Sequence, residues 1–260
     1  MEAFHQPVTF THARRIAGYN WPLYAAAGCG ILVGVVVAFF PGTPLALRWI
    51  AGLGIAVAAW YACASFWAFH WMFDSSELLR GRWLGAEVTP PPQRWVQINT
   101  GLEETTVPLG EVFREAAGKM LDIYDLASMT EPAITRARQQ RVGVPAVTAQ
   151  SDALPVEDGW GDLVLVMLAA HEIRDARARE RFFQELLRIV SPGGKVVLVE
   201  HLRDLAAALA FGPGMFHFLP RREWLRLGSF VGLEVERERR ITPFVRVFVY
   251  RPIAAAKEKA

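Results

Sequence analysis

Cysteine is scarce in this chain, and its two copies, Cys29 and Cys63, both fall inside long uncharged apolar runs. That placement argues against a disulfide framework and favours small packed residues over metal ligands. No Cys/His cluster with zinc-like spacing is present, so the sequence implies no metal. Charge imbalance is lacking too: a formal net charge of +2, with no basic stripe interleaved with aromatics, argues against nucleic acid as a partner. Internal repeats and low-complexity tracts are missing. So is a GxGxxG after the first predicted strand, where NTGLEE stands, which argues against a nicotinamide dehydrogenase.

What the chain has in excess is apolar length. Tyr24 to Phe40 and Trp49 to Phe73 carry no Asp, Glu, Lys or Arg. Each matches the roughly 17 to 25 residues with which a helix crosses a hydrocarbon layer. A signal peptide competes for the first run, because Arg14 and Arg15 precede it. Yet the run is longer than the roughly 7 to 15 residues of a signal core, and a second run follows after PGTPLALR, so a helical hairpin accounts better for both. Arg14 and Arg15 lie before the hairpin, Arg80 and Arg82 after it, and Arg48 between. The positive-inside rule then predicts a multi-pass protein of the cell (inner) membrane with both ends in the cytoplasm. Gly30 and Gly34 form a GxxxG that permits close helix packing, either of the hairpin on itself or in a homodimer.

The predicted organisation is a cytosolic segment (1–20), the hairpin (21–73), an amphipathic helix capped by Ser75 or Ser76 with a Pro-rich linker (74–93), an α/β domain (94–252) and a frayed tail (253–260). Pro90, Pro91 and Pro92 mark the joint. After them, β-rich runs (WVQIN, KMLDIYD, VPAVTAQSD, DLVLVML, GKVVLVEH) alternate with helical patterns, as parallel βαβ units do. The end changes character: GLEVERERRI and FVRVFVYR alternate apolar and charged residues, as an antiparallel pair with one solvated face does.

From Arg94 to Arg251 this order of segments resembles the class I S-adenosylmethionine-dependent methyltransferases. The matches are VQINTGLEET at the first strand and turn, KMLDIYD, SDALP, DLV at the start of the fourth strand, and SPGGKVVLVEH. The resemblance implies a Rossmann-like, mostly parallel seven-stranded sheet with an antiparallel C-terminal pair. It implies S-adenosyl-L-methionine as cofactor. Gln97 stands at the family's acidic position, and Asn99, Gly101 and Glu103 stand at its three glycines, so only Gly101 is kept. Glycines there let backbone approach the cofactor, with a helix N-terminus behind it; Asn tolerates positive φ better than most replacements. Thr100 adds a polar contact, and Thr105 and Thr106 are placed to cap the following helix. Asp122, with Asp125 as the alternative, takes the ribose hydroxyls, and Ile123 lies against the adenine. Asp152 and Ala153 belong to the adenine-contacting turn, and Met167 ends the fourth strand beside the cofactor.

Methyl transfer needs an aligned acceptor and, for a protonated nucleophile, a base. At the carboxyl ends of the fourth and fifth strands, where the family's acceptor site opens, stand His171 and Glu172, and Glu200 and His201 with Arg203. His171 titrates in the right range for a base; hydrogen bonding to backbone is its alternative role. Ala207 to Trp224 is unusually apolar and contains Arg221 and Arg222, which suits either buried core or the bilayer surface. The second placement turns the acceptor site toward the membrane and implies a lipophilic small molecule, a lipid or isoprenoid quinone. Two other readings stay open: a non-catalytic anchored adaptor, and a cofactor enzyme with non-methylating chemistry.

Overall fold

The computed structural model describes residues 9–140 and 145–253. The expected tail therefore falls, apart from Ile253, outside the described residues. Ahead of the hairpin stands a helix the sequence reading did not anticipate, α1 (Thr11–Tyr19). It is held by the carboxylate of Asp74, which accepts from the backbone N–H groups of His12 at 2.9 Å and Ala13 at 3.0 Å. The hairpin follows as α2 (Trp21–Phe39) and α3 (Leu45–Phe69), the latter continued by a π-helical turn over His70–Ser75. Both helices are long and apolar enough to cross a membrane, and α2 buries none of its residues against protein. A Cβ added at Gly34 would lie 2.8 Å from Ile55, so the second glycine of the GxxxG serves the packing of α2 on α3, while Gly30 faces open space. Cys29 and Cys63 are free and exposed rather than packed.

The segment expected to be an amphipathic helix and a linker departs from that expectation. Only Leu84–Glu87 is helical (α4), and Leu78, Trp83, Leu84 and Val88 are buried with the sheet's own side chains. Four apolar residues in that stretch find the sheet face, and burial there outweighs local helix propensity.

The remaining chain forms β1 (Arg94–Asn99), α5 (Leu109–Val112), β2 (Ala117–Asp122), α6 (Pro132–Gln139), β3 (Val147–Thr148), β4 (Gly161–Met167), α7 (Ala176–Ile189), β5 (Val190–His201), α8 (Leu205–Phe211), α9 (Arg221–Val231), β6 (Leu233–Thr242) and β7 (Val245–Pro252). The strands build one seven-stranded sheet in the order β3-β2-β1-β4-β5-β7-β6. Its first five are parallel, and β7 runs antiparallel to both β5 and β6. The near-continuous apolar runs of β4 and β5 suit strands covered on both faces. Val164 and Val166 enter one apolar cluster with Phe182, Phe183, Leu186 and Ile189 of α7; Leu163, Leu165 and Met167 enter the other, with α4 and the end of the hairpin. Asp175 caps α7 by accepting from Ala178 N–H at 2.7 Å, and Asp204 caps α8 in the same way at 3.1 Å.

The helix expected after β1 is largely absent. A short 3-10 turn at Glu103–Thr105 and the four residues of α5 stand in its place. Thr105 and Thr106 do not cap it, because both hydroxyls donate to the Leu102 carbonyl at 3.0 Å. Pro108, which cannot donate a backbone hydrogen bond, sits where an extended helix would need one.

Candidate functional site

The expected site residues gather at the carboxyl ends of the parallel strands, in two neighbouring groups. The first surrounds the turn after β1. Asn99 Oδ1 accepts from Gly101 N–H at 2.8 Å, and its Nδ2 donates to Thr106 Oγ1 at 3.1 Å, so the asparagine standing for a glycine builds the turn with its side chain. Gln97 closes the loop from below: its amide pairs reciprocally with the backbone N–H and carbonyl of Val107, each at 2.8 Å. Gly101 takes φ of +72°. A Cβ there would come within 2.4 Å of Asp122 Oδ2, so no other residue fits the turn without displacement.

The carboxylate of Asp122, buried at the end of β2, is therefore the one brought to the turn. Asp125 is exposed and accepts from Ser128 Oγ and Ala127 N–H, which holds its carboxyl below the usual range. Asp122 already has a cationic partner. Arg138, from α6, donates through Nη1 to Asp122 Oδ2 at 2.9 Å and to the Thr100 carbonyl at 2.7 Å. Of the other expected cofactor contacts, Ile123 donates its backbone N–H to the Asn99 carbonyl at 3.0 Å. Ile123 and Met167 are buried in the two apolar clusters. Asp152, half-exposed, accepts from Arg181 Nε at 3.0 Å, and Ala153 is exposed beside it.

A glycine turn that admits no Cβ, facing a buried carboxylate at the next strand's end, fits an adenosyl group with its ribose on Asp122. Arg138 is the competing occupant of that carboxylate. A polar cleft of about 220 Å³ beside the turn is lined by Arg15, Tyr19, Gly101, Leu102, Glu103, Glu104, Ala137 and Gln140. Its acidic wall is tied to α1: Arg15 Nη1 donates to Glu103 at 2.8 Å and to Glu104 at 3.1 Å, and Tyr19 Oη donates to Glu104 at 2.9 Å. Nothing in the sequence pattern of α1 announces this, because its partners lie more than eighty positions away.

The second group is more tightly organised. After β4 the chain turns sharply at Leu168, a non-glycine residue with φ of +49°, and a 3-10 turn carries Ala170, His171 and Glu172 under the end of β5. Glu200, fully buried, clamps this turn: Oε1 accepts from Ala170 N–H at 2.8 Å and His171 N–H at 3.2 Å, while Oε2 accepts from His171 Nδ1 at 2.6 Å. On its other side His171 Nε2 lies 3.1 Å from Glu172 Oε1. His217, from the loop after α8, brings Nε2 to 2.9 Å from the same oxygen. Burial opposes charge on His171, but the carboxylates of Glu200 and Glu172 outweigh it and raise its pKa from 6.5 to about 10. Glu172 is likewise pushed up by burial, and its two histidine neighbours more than reverse that, holding it well below the usual carboxylate range.

The two carboxylates thus favour the protonated form of His171, which disfavours the role of base expected for it. His201 is the neutral imidazole of the site. Its pKa falls to about 3 through burial and the nearby His171 cation. Its Nδ1 donates to the Phe244 carbonyl at 3.0 Å, which fixes Nε2 as the unprotonated, accepting nitrogen. Arg203 Nε donates to the Phe218 carbonyl at 2.9 Å and so holds the loop that carries His217.

Above these side chains opens a cavity of about 480 Å³. Its floor includes His171, Glu172, His201 and His217, one wall includes Thr100 and Leu102, and the opposite wall belongs to the hairpin, through Leu23, Tyr24, Ala58, Tyr61, Ala62 and Phe69. It shares Tyr19, Leu102, Glu104 and Ala137 with the polar cleft, so the two spaces adjoin.

Comparisons with known proteins bear on the fold that carries this arrangement. Residues 110–198 match the profile of a family described as "Methyltransferase domain". A stretch of 106 residues is 26% identical to the ubiquinone/menaquinone biosynthesis C-methyltransferase UbiE of Yersinia pestis (strain Pestoides F), covering 40% of this chain and 39% of that protein. The chain thus matches about two fifths of the length of such curated relatives. Among solved structures, a SAM-dependent methyltransferase from Aquifex aeolicus superposes with a TM-score of 0.50 at 14% identity, over 67% of this chain and 90% of that one. The mitomycin 7-O-methyltransferase MmcR superposes with a TM-score of 0.50 at 13% identity, over 96% of this chain and 74% of that one. The α/β part of the chain thus matches a methyltransferase-domain model over residues 110–198 and shares the fold of S-adenosylmethionine-dependent methyltransferases.

Proposed function

We propose that this protein is a membrane-anchored S-adenosylmethionine-dependent methyltransferase whose acceptor is a lipophilic small molecule of the lipid or isoprenoid-quinone class. One observation carries the reading: the cavity over His171, Glu172 and His201 is walled partly by the domain and partly by the apolar hairpin. An acceptor that partitions into the bilayer would reach such a cavity along α2 and α3 without crossing water. The segment after β5 supports this. Trp60 Nε1 donates to the Leu209 carbonyl at 2.9 Å, joining α3 to α8, while Leu205, Leu209 and Phe216 are exposed on the same side. The similarity to a quinone C-methyltransferase over part of the chain points to the same acceptor class.

When bound, the cofactor supplies an electrophilic methyl group. This chain's residues do the rest. Gly101 and Asp122 hold the adenosyl end, the hairpin excludes water from the acceptor, and the His171 cation stabilises negative charge developing on an acceptor oxygen. His201 Nε2 accepts a hydrogen bond and orients the acceptor. The competing reading, an anchored adaptor without catalysis, is favoured by one observation, the seat of Arg138 on the Asp122 carboxylate.

The test is transfer of labelled methyl groups from S-adenosylmethionine to membrane lipid extract by the protein in nanodiscs. Label in the solvent-extractable fraction, lost with Asp122→Ala, supports the proposal. Absence of transfer by folded protein that binds no S-adenosylhomocysteine overturns it in favour of the adaptor. Binding with a product other than a methylated one points to different chemistry on the same cofactor.

A further inference from the structure

Nothing in the sequence spacing or in the family profile assigns a metal to this chain, yet its folded geometry brings one donor set together. Among the described residues, His171, Glu172 and His217 place a ring nitrogen or carboxylate oxygen each within 4.8 Å of one another. His171 Nε2 and His217 Nε2 both face Glu172 Oε1, at 3.1 and 2.9 Å. Ligands held at about 2.0–2.2 Å from one ion in tetrahedral or octahedral geometry lie roughly 3 Å apart, which is the spacing of each imidazole nitrogen from the Glu172 oxygen. Glu131 Oε2 lies 3.6 Å from His217 Nδ1, the ring nitrogen turned away from the three donors.

The groups behind these donors are those of a metal site. An imidazole that binds an ion through one nitrogen commonly donates the other N–H to a carboxylate, which sets its tautomer and orientation. His171 Nδ1 does so to Glu200 at 2.6 Å, and Glu200, completely buried, is itself fixed by the backbone N–H groups of Ala170 and His171. The donors open onto an apolar cavity, where coordination positions left by the protein would be available to a ligand. One contact opposes the ion. The guanidinium of Arg174 packs against the His217 ring, and its Nη1 donates to the His217 carbonyl at 2.7 Å. Arg174 is exposed, and swinging it outward lets His217 Nδ1 donate to Glu131 instead, leaving Nε2 for the ion.

The geometry points to a divalent first-row transition-metal site formed by His171 Nε2, Glu172 and His217 Nε2, with Glu200 positioning His171, the ion replacing the Nε2 proton of His171 as the positive charge beside Glu172. Two imidazoles and a carboxylate suit zinc, iron(II), manganese or cobalt better than the hard, all-oxygen ions. The site itself does not depend on the proposed activity. Its use, holding an oxygen of the acceptor, rests on that proposal.

The test is titration of chelator-stripped full-length protein in detergent with Co²⁺, followed through visible d–d absorption, together with elemental analysis of protein purified without chelator. One equivalent of bound cobalt with d–d bands of nitrogen and oxygen ligation is expected. His217→Gln should weaken binding at least about tenfold, Arg174→Ala should tighten it or leave it unchanged, and His12→Gln should leave it unchanged. His217 is partly exposed, so its substitution is expected to preserve the fold, and the wild-type spectrum stands without any variant. Absence of d–d bands, or bands that persist in His217→Gln, overturns the assignment. Because the readout is the ion, methyl transfer can fail while the site is confirmed, and the reverse.

Discussion

Arg138 Nη1 sits 2.9 Å from Asp122 Oδ2 and 2.7 Å from the carbonyl of Thr100, bridging the end of β2 to the turn after β1. The carboxylate proposed for a ribose is thus the carboxylate that anchors α6. Arg138 also stacks over Tyr124, with its guanidinium 4.2 Å from the ring centroid. A ligand hydroxyl must share Asp122 with this cation or displace it. Arg138→Gln is expected to lower the stability of the ligand-free protein by about 1–3 kcal/mol, because a buried charged acceptor loses a donor. The same change is expected to tighten S-adenosylhomocysteine binding severalfold in calorimetric titration. Weaker binding in the variant would instead make Arg138 part of the cofactor site.

Gly101 and Glu103 should respond oppositely. A side chain at Gly101 meets Asp122 and Arg138 at once, in a backbone conformation that β-branched residues avoid. Gly101→Val should abolish S-adenosylhomocysteine binding. Glu103 is exposed, and its pair with Arg15 lies at the surface, where such pairs contribute about 0–1 kcal/mol. Glu103→Gly should keep binding within about twofold of the unmodified protein. Loss of binding in Glu103→Gly would show that the turn has been assigned one register off.

The sheet was legible because its evidence is local and periodic. The apolar runs of β4 and β5 and the alternation of β6 and β7 each reflect how many faces of the strand are covered, and neighbouring residues carry that information. The position of Asp122 was legible for the same reason, being the last residue of β2. What escaped depends on partners distant in the chain. His217 meets Glu172 across 45 positions through a loop with no repeating pattern, and α1 gains its place from Asp74, Glu103 and Glu104. The helix after β1 failed differently. Its residues have adequate propensity, but Pro108 and the pairing of both threonine hydroxyls with Leu102 divert the chain into a 3-10 turn. Burial between two carboxylates inverts the ordinary behaviour of histidine at His171, and no local sequence shows both, since Glu200 lies 29 positions away.

That inversion has a measurable pH signature in protein stripped of metal. His171 ionises near 10 when folded and near 6.5 when unfolded, so the folded state binds its proton more tightly. Its stabilisation is complete below pH 6.5 and fades as pH rises toward 10. Glu172 has the opposite dependence: its contribution is present above about 4.5 and is lost as pH falls through its lower folded value. Glu200, Glu172, His217 and His201 all face the His171 ring, so the window belongs to the cluster. Thermal melts followed by tryptophan fluorescence should show stability declining from pH 6.5 to 9. In His171→Gln the decline over that range should be largely absent. A decline of equal steepness in both proteins would place the titrating group elsewhere.

Ala62 separates the hairpin's use as an anchor from its use as a wall. It lies on α3, lines the cavity opposite the histidines, and is partly exposed to it. Gly101 lines only the smaller cleft and Ala62 only the larger space. A bulky apolar substitution there leaves the span hydrophobic, so insertion into a bilayer is preserved. Ala62→Trp should therefore bind S-adenosylhomocysteine with unchanged affinity and remain in the membrane fraction, while methyl transfer to lipid extract falls by at least about tenfold, a loss of roughly 1.4 kcal/mol in transition-state stabilisation. If the hairpin were an address and nothing more, filling this wall would cost no activity. Transfer at the unmodified rate in Ala62→Trp would then move the acceptor out of the cavity, and with it the reason for its lipophilic lining.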